Sequence, residues 1–234
     1  ACVVVGIVIG VVNLTSFGTV MTSSIVTLGA GSLFFTLLLT MIASMVLGMG
    51  LPSIPAYIIT ATMAAPALAS FDVPVLVAHL FVFYFGIFAN ITPPVALAAF
   101  AGAGIAGGDP MKTGLQSLKL ALAGFIVPFM FVYNPNMLMI DVAHTAVTAT
   151  EFPLPHWWTI VSVSITSIIG VLSLSAAVEG WFKTHIPTWQ RLPLAAGGLM
   201  MIVPELTTDL IGIAMVSAIL GLNILAAKKQ IKAA

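Results

Sequence analysis

The sequence predicts an all-α integral membrane protein, and three observations lead to that fold class. Hydrophobic residues make up 60% of the 234 residues and charged residues only 6%, whereas soluble domains carry about 25% charged residues. The mean hydropathy is +1.18. Apolar runs alternate with short segments rich in Gly, Pro, Ser and Thr, which is typical of a chain that crosses a membrane several times.

The composition also excludes several classes of function. The net charge is zero, so nothing indicates a nucleic-acid partner. The single cysteine, Cys2, can form neither a disulfide framework nor a metal cluster. His144 and His156 lie near Asp141 and Glu151, but their spacing fits no compact metal motif, and a solvated loop explains them. The sequence therefore predicts no enzyme and no cofactor.

Residues 1–31 form the first predicted domain, which consists of a spanning helix and a connection. The run over residues 1–20 is uncharged and long enough to cross a hydrocarbon core. Residues 21–31 are rich in Ser, Thr and Gly, and this composition indicates a surface connection.

Residues 32–71 are predicted to form a hairpin of two apolar helices, over residues 33–47 and 56–68. The linker between the helices carries no charge, which favours a re-entrant hairpin whose tip stays inside the protein. A tight turn between two full spans is the alternative. Glycine lets the backbone approach an ion closely, and Ser53 is expected to cap the returning helix. The candidate site residues of this linker are Gly48, Gly50, Pro52 and Ser53.

Residues 72–132 are predicted to hold a spanning helix that is broken near its middle, followed by a further span. The apolar runs over residues 73–89 and 95–105 are each too short to cross a core that takes about 20 residues. Proline donates no backbone hydrogen bond, so the helix is interrupted between them. Thr92 is expected to cap the second half-helix, with Pro93 at its first position. The candidate site residues of the break are Asn90, Thr92, Pro93 and Pro94.

Residues 133–234 are predicted to form a C-terminal extension with one span and a helical hairpin in the inner leaflet. The span over residues 159–178 begins directly after two tryptophans, a residue type enriched at the membrane interface. The run over residues 192–203 is too short to cross. Together with residues 206–227, it predicts a hairpin that penetrates to half depth.

The distribution of basic residues supports a single crossing that is broken at residues 90–94. Cytoplasmic loops carry an excess of Lys and Arg. If residues 73–105 cross once and each hairpin crosses an even number of times, all seven basic residues lie on one side. If residues 73–105 crossed twice, Asp72 would share a side with Lys112 and this segregation would fail. The seven residues are Lys112, Lys119, Lys183, Arg191, Lys228, Lys229 and Lys232.

Four stretches of the chain resemble a known family of membrane proteins. They are residues 47–52 (LGMGLP), 79–85 (HLFVFYF), 90–100 (NITPPVALAAF) and 103–114 (AGIAGGDPMKTG). The chain resembles the large membrane (M) subunit of tripartite ATP-independent periplasmic (TRAP) transporters. It is most similar to the fused 4TM/12TM permeases that work with TAXI-type binding proteins. Because the chain opens on Ala-Cys-Val-Val-Val without an initiator Met, we expect it to be the C-terminal half of such a permease.

The resemblance implies an elevator-type, sodium-coupled importer of organic acid anions in the inner membrane of a bacterium. In that family, the substrate arrives on a periplasmic substrate-binding protein. The resemblance further implies that this chain is the second of two inverted repeats, with the hairpin tip at residues 48–53 and the helix break at residues 90–94. The missing N-terminal half, the small-subunit helices and membrane lipid would then be its other partners.

The resemblance and the residues together indicate where ions and substrate would bind. The candidate sodium ligands are oxygen atoms of Gly50, Ser53, Asn90 and Thr92, because carbonyl and hydroxyl oxygens suit a hard cation. The anion would lie at the helix N-termini near Ser53 and Thr92, where the positive end of the helix dipole favours it. A structural or channel-type membrane subunit is the alternative. A channel would require a continuous polar stripe along a helix, and the apolar runs show none.

Overall fold

The computed structural model describes residues 2–140, 154–201 and 206–233. Within these ranges the regular elements are helices, no strand forms, and Trp181 and His185 make an isolated β-bridge. The chain divides into two compact units, with the boundary between Leu118 and Lys119.

The first unit begins with two helices that meet at a sharp bend. Helix α1 (Cys2–Leu14) and helix α2 (Phe17–Leu28) are inclined to each other by 71°. The prediction of a surface connection over residues 21–31 is therefore wrong for residues 21–28, which belong to α2. Its Ser and Thr residues do not prevent a helix, because a hydroxyl can bond to a carbonyl of its own helix. Ser23 Oγ, for example, donates to Val20 O at 2.9 Å.

The hairpin that follows has a shorter linker than the sequence predicts. Its second helix begins at Ser53 rather than at residue 56, because Pro55 lies in the first helical turn, where its missing N–H is not needed. Pro52 occupies the N-cap position and no side chain caps the helix, so the expected capping by Ser53 is wrong. The helices are α3 (Leu33–Gly48), α4 (Ser53–Met63) and α5 (Ala65–Ala69).

The helix that the sequence predicts to be broken is interrupted in the structure. Residues 89–96 form turns between its two halves. Thr92 does not cap the second half, because its Oγ1 donates back to Phe88 O at 2.8 Å. Ala96, with φ 36°, occupies the N-cap position instead, so Pro93 is not the first helical residue. The helices are α6 (Val75–Phe88), α7 (Leu97–Ala106) and α8 (Pro110–Ala121).

Helix α6 lies at the centre of the first unit. Helices α3 and α4 both pack along it, and its side chains Phe81 and Phe85 are fully buried. A polar contact also joins α4 to α6, since Tyr57 Oη lies 3.0 Å from His79 Nδ1. The hairpin is therefore packed against the first half of the broken helix.

The second unit is built around one long helix and a pair of packed helices. Ile186, Leu194, Met201 and Val216 form the centre of its core. The loop with Asp141, His144 and Glu151 lies outside the described residues, so its predicted solvation remains a prediction. The helices of the second unit are α9 (Val127–Tyr133), α10 (Trp157–Glu179), α11 (Thr188–Met200) and α12 (Leu206–Ala233). Two 3-10 turns, Leu122–Ile126 and Pro135–Leu138, flank α9.

Three helical segments of the described chain are long and apolar enough to cross a membrane. They are Pro110–Tyr133, Trp157–Glu179 and Thr207–Lys228, and the bent α1–α2 pair would be a fourth span if it counts as one. The helices of the hairpin and of the broken helix are shorter. Helix α12 is longer than the predicted half-depth hairpin requires, whereas α11 is too short to cross.

Candidate functional site

The hairpin linker and the helix break lie side by side in the first unit. Asn90 Nδ2 donates a long hydrogen bond to Leu51 O, with the two atoms 3.5 Å apart. A Cβ built on Gly50 would stand 3.8 Å from Val95 Cγ1, so Gly50 lies beside Val95 of the break. The structure thus brings together the two segments that the sequence singles out.

Gly48 determines how closely the hairpin approaches the broken helix. It is buried at the end of α3, and a Cβ at this position would overlap Gly86 O and stand 2.8 Å from Gly86 Cα. Across Gly86, Thr60 Cγ2 of α4 lies 3.4 Å from the Cβ that Gly86 lacks. The absence of side chains therefore lets α3 and α6 meet backbone to backbone, a contact typical of small residues at helix interfaces in membranes.

Gly50 allows the linker to turn towards the break. Its φ of +74° lies in the left-handed region, which glycine adopts without the steric penalty that a Cβ brings. The turn is closed by the Leu51 amide, which donates to Gly48 O at 3.3 Å. Because of this turn, the carbonyl of Leu51 faces Asn90.

A cavity of about 190 Å³ opens between α3 and the break. Its walls are mostly apolar, and Thr92 supplies the hydroxyl group among the lining side chains. Such a cavity suits the apolar body of a small organic molecule. The lining residues are Ile42, Met45, Val46 and Met49 of α3 and Ala89, Thr92, Pro93 and Pro94 of the break.

The candidate site contains no charged side chain. In residues 1–118 the charged residues are Asp72, Asp109 and Lys112, and Asp109 Oδ1 accepts from the Lys112 amide at 3.0 Å at the start of α8. Within the described ranges, no group of three or more His, Cys, Asp or Glu side chains could hold a metal ion. The potential ligands at the linker and the break are therefore neutral oxygen atoms and amides.

The predicted site residues do not all come together. Ser53 and Pro52 are exposed at the start of α4, and the hydrogen bond that joins the linker to the break is made by Leu51 instead. Thr92 is nearly buried, with 9% of its surface exposed. Pro93 and Pro94, which are joined by a cis peptide bond, line the cavity beside it.

Main-chain carbonyls supply most of the oxygen atoms at the break. Asn90 O accepts from the Ala98 amide at 3.0 Å, and Thr92 O accepts from the Ala96 amide at 3.2 Å. Each carbonyl oxygen has a second lone pair. Leu51, which was not predicted as a site residue, offers a further carbonyl oxygen, which lies 3.5 Å from Asn90 Nδ2.

A line of hydroxyl groups on α3 was not predicted from the sequence. Thr36, Thr40 and Ser44 are fully buried, and within the described part of the chain their hydroxyl oxygens have no hydrogen-bond partner. Residues four apart share a helix face, so this line ends at Gly48. The expectation that no apolar run carries a polar stripe is therefore wrong for α3. The spacing of four residues between these hydroxyl side chains could have predicted the stripe from the sequence.

Short helices that meet at an oxygen-rich break, in a chain with several spanning helices, are typical of the membrane component of a secondary transporter. The family model described as "Tripartite ATP-independent periplasmic transporter, DctM component" matches residues 1–146. The chain belongs to this family, the large membrane components of TRAP transporters. No curated protein and no solved structure matches the chain.

Membership of the family has direct consequences for the class of protein and its partners. The chain is a multi-pass membrane protein, and its family consists of transporters rather than enzymes. The family implies two partners, a periplasmic binding protein and a small membrane subunit.

Proposed function

We propose that this chain is the large-subunit component of a sodium-coupled transporter that imports organic acid anions with the help of a binding protein. The observation that carries the proposal is the contact between the hairpin linker and the helix break, made by Asn90 and Leu51. Discontinuous helices supply the carbonyl oxygens and helix ends that bind Na⁺ and anions in secondary transporters. The proposal extends the family assignment to an ion, a substrate class and a site.

The coupling ion would bind at the break. Asn90 and Thr92 are the strongest of the four candidate ligands, because both offer side-chain and main-chain oxygens there. Gly50 follows, since it lies beside Val95 of the break. Ser53 is the weakest candidate, because it is exposed at the first position of α4. All four groups are neutral, which fits a monovalent cation bound next to an anion.

The substrate would occupy the cavity between α3 and the break. Its carboxylate would lie towards the amides at the start of α7, where the helix dipole favours negative charge. Its body would contact the apolar wall formed by Met45, Val46 and Met49. Because the first unit places no basic side chain at this cavity, a salt bridge to the carboxylate would come from a residue outside the unit.

Coupling between ion and substrate would follow from linkage. If Na⁺ orders the linker against the break and thereby raises the affinity for the anion, the anion raises the affinity for Na⁺ by the same factor. The resemblance to fused permeases supports a TAXI-type binding protein as the donor, an elevator movement of the site and a location in the bacterial inner membrane.

Uptake measurements test this proposal. The complete transporter is reconstituted in proteoliposomes, its binding protein is added outside, and a panel of radiolabelled organic acids is supplied. We expect uptake of at least one acid to follow an inward Na⁺ gradient and to stop when K⁺ replaces Na⁺. Uptake that is independent of Na⁺, or equal passage of neutral and anionic solutes as through a channel, would overturn it.

A matched pair of variants tests the site itself. Thr92 and Thr62 both donate to the carbonyl four residues earlier, at 2.8 Å and 3.0 Å, but only Thr92 lies at the break. Loss of one ligand worth about 1 kcal/mol corresponds to roughly fivefold in affinity. We therefore expect Thr92→Val to raise the Na⁺ concentration for half-maximal uptake about fivefold and Thr62→Val to leave it unchanged. Equal behaviour of the two variants would contradict the assignment.

A further inference from the structure

The second unit contains a groove that neither the family nor the proposed transport site explains. It has a volume of about 400 Å³ and lies between α10 and the segment that begins at Lys119. Leu120 and Leu172 form apolar walls, and Trp181 and Phe182 stand where the chain leaves α10. Leu172 and Trp181 are both more than half exposed. The groove is thus a large apolar concavity on a spanning helix.

The groove has one pair of charges at its edge. Lys119 Nζ lies 3.3 Å from Glu179 Oε2, and both side chains are nearly half exposed. Glu179 is the last residue of the candidate span Trp157–Glu179, so the pair lies at the end of a membrane-crossing helix. Phospholipid headgroups are located at this depth, and tryptophan is enriched there as well. Leu172 lies about 10 Å before Glu179 along α10, which would place this apolar wall at the depth of the acyl chains.

We propose that this groove binds a zwitterionic phospholipid with a primary ammonium group, that is, a phosphatidylethanolamine. Lys119 would donate from Nζ to the phosphate, and Glu179 would accept from the lipid ammonium through Oε1, the oxygen that is not paired with Lys119. One acyl chain would run along Leu120 and Leu172. The charge pair and the headgroup are then complementary, with each positive group facing a negative one.

The same pair of charges disfavours other lipids. An anionic headgroup such as phosphatidylglycerol would bring a negative charge to Lys119 without a positive group for Glu179. A choline headgroup carries its charge on a nitrogen without N–H groups, so it cannot donate a hydrogen bond to the carboxylate. Charge-assisted hydrogen bonds are the stronger ones, and the ethanolamine headgroup can form one with each residue of the pair.

Competitive fluorescence quenching tests the proposal. Trp157, Trp158 and Trp189 are replaced by Phe in the full chain, which leaves Trp181 in the groove as the sole tryptophan. The protein is reconstituted with mixtures in which one lipid class carries brominated chains. We expect brominated phosphatidylethanolamine to quench Trp181 with about five- to tenfold preference over brominated phosphatidylcholine or phosphatidylglycerol. Equal quenching by all three lipids would overturn the proposal.

Variants of the charge pair separate headgroup selection from burial of the acyl chain. We expect Glu179→Gln to abolish the preference over phosphatidylcholine and to increase quenching by phosphatidylglycerol. Lys119→Gln is expected to weaken quenching by all three lipids. An unchanged preference in Glu179→Gln, or no quenching by any lipid because protein covers the groove, would refute the assignment.

A steric variant provides a readout that does not depend on charge. Ser175 lines the groove and Ser164 does not, although both are exposed on α10 and donate to a carbonyl of that helix. We expect Ser175→Phe to fill the groove and reduce quenching at least fivefold, and Ser164→Phe to have no effect. Equal quenching in the two variants would show that the lipid does not enter the groove.

Discussion

The contact between Gly48 and Gly86 is where a single methyl group has the largest expected effect. A Cβ at Gly48 would overlap main-chain atoms of Gly86, and a backbone cannot move aside as a flexible side chain can. Overpacking of this kind typically costs about 1–3 kcal/mol. We expect Gly48→Ala to lower the free energy of unfolding by that amount and to reduce transport, measured by thermal unfolding in detergent and by uptake.

Gly102→Ala is the control for this substitution. Gly102 also lies within a helix, but a Cβ there would meet no atom within 4 Å. Because alanine favours a helix over glycine by roughly 0.5–1 kcal/mol, we expect this variant to be as stable as the parent or more stable. If Gly48→Ala were also neutral, the backbone contact between α3 and α6 would be looser in the working protein than in the structure.

The hydroxyl line on α3 permits a second prediction at the level of single residues. Thr40 is fully buried and its Oγ1 is unpaired, so replacement by the isosteric valine removes a desolvated polar group that costs about 1–3 kcal/mol when unpaired. We expect Thr40→Val to raise the melting temperature. Thr60 is equally buried, but its Oγ1 donates to Ala56 O at 2.9 Å, so Thr60→Val should lower the melting temperature. The opposite order would mean that Thr40 has a partner in the working protein.

In the second unit, Asn223 joins two elements through its side chain. Its Oδ1 accepts from the amides of Lys183 and Thr184 at 3.1 Å and 3.2 Å, and its Nδ2 donates to Thr184 O and Thr184 Oγ1, both at 3.1 Å. The residue is 3% exposed. Helix α12 thus holds the loop that follows α10 by four hydrogen bonds.

We expect Asn223→Ala to release this loop. Loss of the hydrogen bonds, with several polar groups left unpaired, should destabilise the second unit by about 2 kcal/mol. Amide hydrogen exchange of residues 181–186 should then become faster, as measured by mass spectrometry. Asn13→Ala is the control, because Asn13 is exposed in the first unit. Unchanged exchange in Asn223→Ala would show that other contacts hold the loop.

The sequence predicted the elements well where apolar runs are bounded by strong helix breakers. The two glycines around Met49 and the double proline after Thr92 marked the hairpin linker and the helix break, because both residue types restrict the backbone wherever they occur. Element boundaries were wrong where a proline or a serine, which often marks the end of a helix, is compatible with one. Pro55 is accommodated in a first turn, and Ser23 bonds to its own helix.

The candidate site was harder to predict for a different reason. Side-chain identities pointed to Asn90 and Thr92, but the oxygen atoms of Leu51 and the packing of Gly48 depend on how the main chain is folded. A main-chain carbonyl has the same chemistry in every residue, so the sequence contains no mark of it. Ser53 is the opposite case. Its hydroxyl group is suited to binding Na⁺, but the residue lies outside the contact between the linker and the break.

At the scale of the chain, the orientation of the C-terminal helices can be argued from the second unit. Helix α12 is long enough to cross a membrane, yet it packs antiparallel to α11, with Gly212 beside Gly197 and Met201. Asn223 then returns to the main chain of Lys183. About 25 Å of helix separates Leu206 from Asn223, so we expect the pair to penetrate beyond half depth and to come back to the surface from which it entered.

This geometry leads to a prediction about sidedness. Lys183 and Lys228 are exposed, and both should lie on the same side of the membrane, with the other basic residues. His156 lies at the opposite end of α10, about 34 Å away along the helix, and should lie on the other side. We expect Lys183→Cys and Lys228→Cys, each made in a Cys2→Ser background, to be labelled by a membrane-impermeant maleimide from one face, and His156→Cys from the other.

The labelling pattern distinguishes an α12 that returns to the surface of Lys183 from an α12 that crosses the membrane fully. If α12 crossed the membrane fully while the loop at Lys183 stayed at its own surface, the Asn223 side chain could not reach that loop. Labelling of Lys228→Cys from the face of His156→Cys would therefore contradict both the return of α12 and the single-sided distribution of basic residues. Labelling together with Lys183→Cys would support the return of α12 and the placement of these basic residues on one side of the membrane.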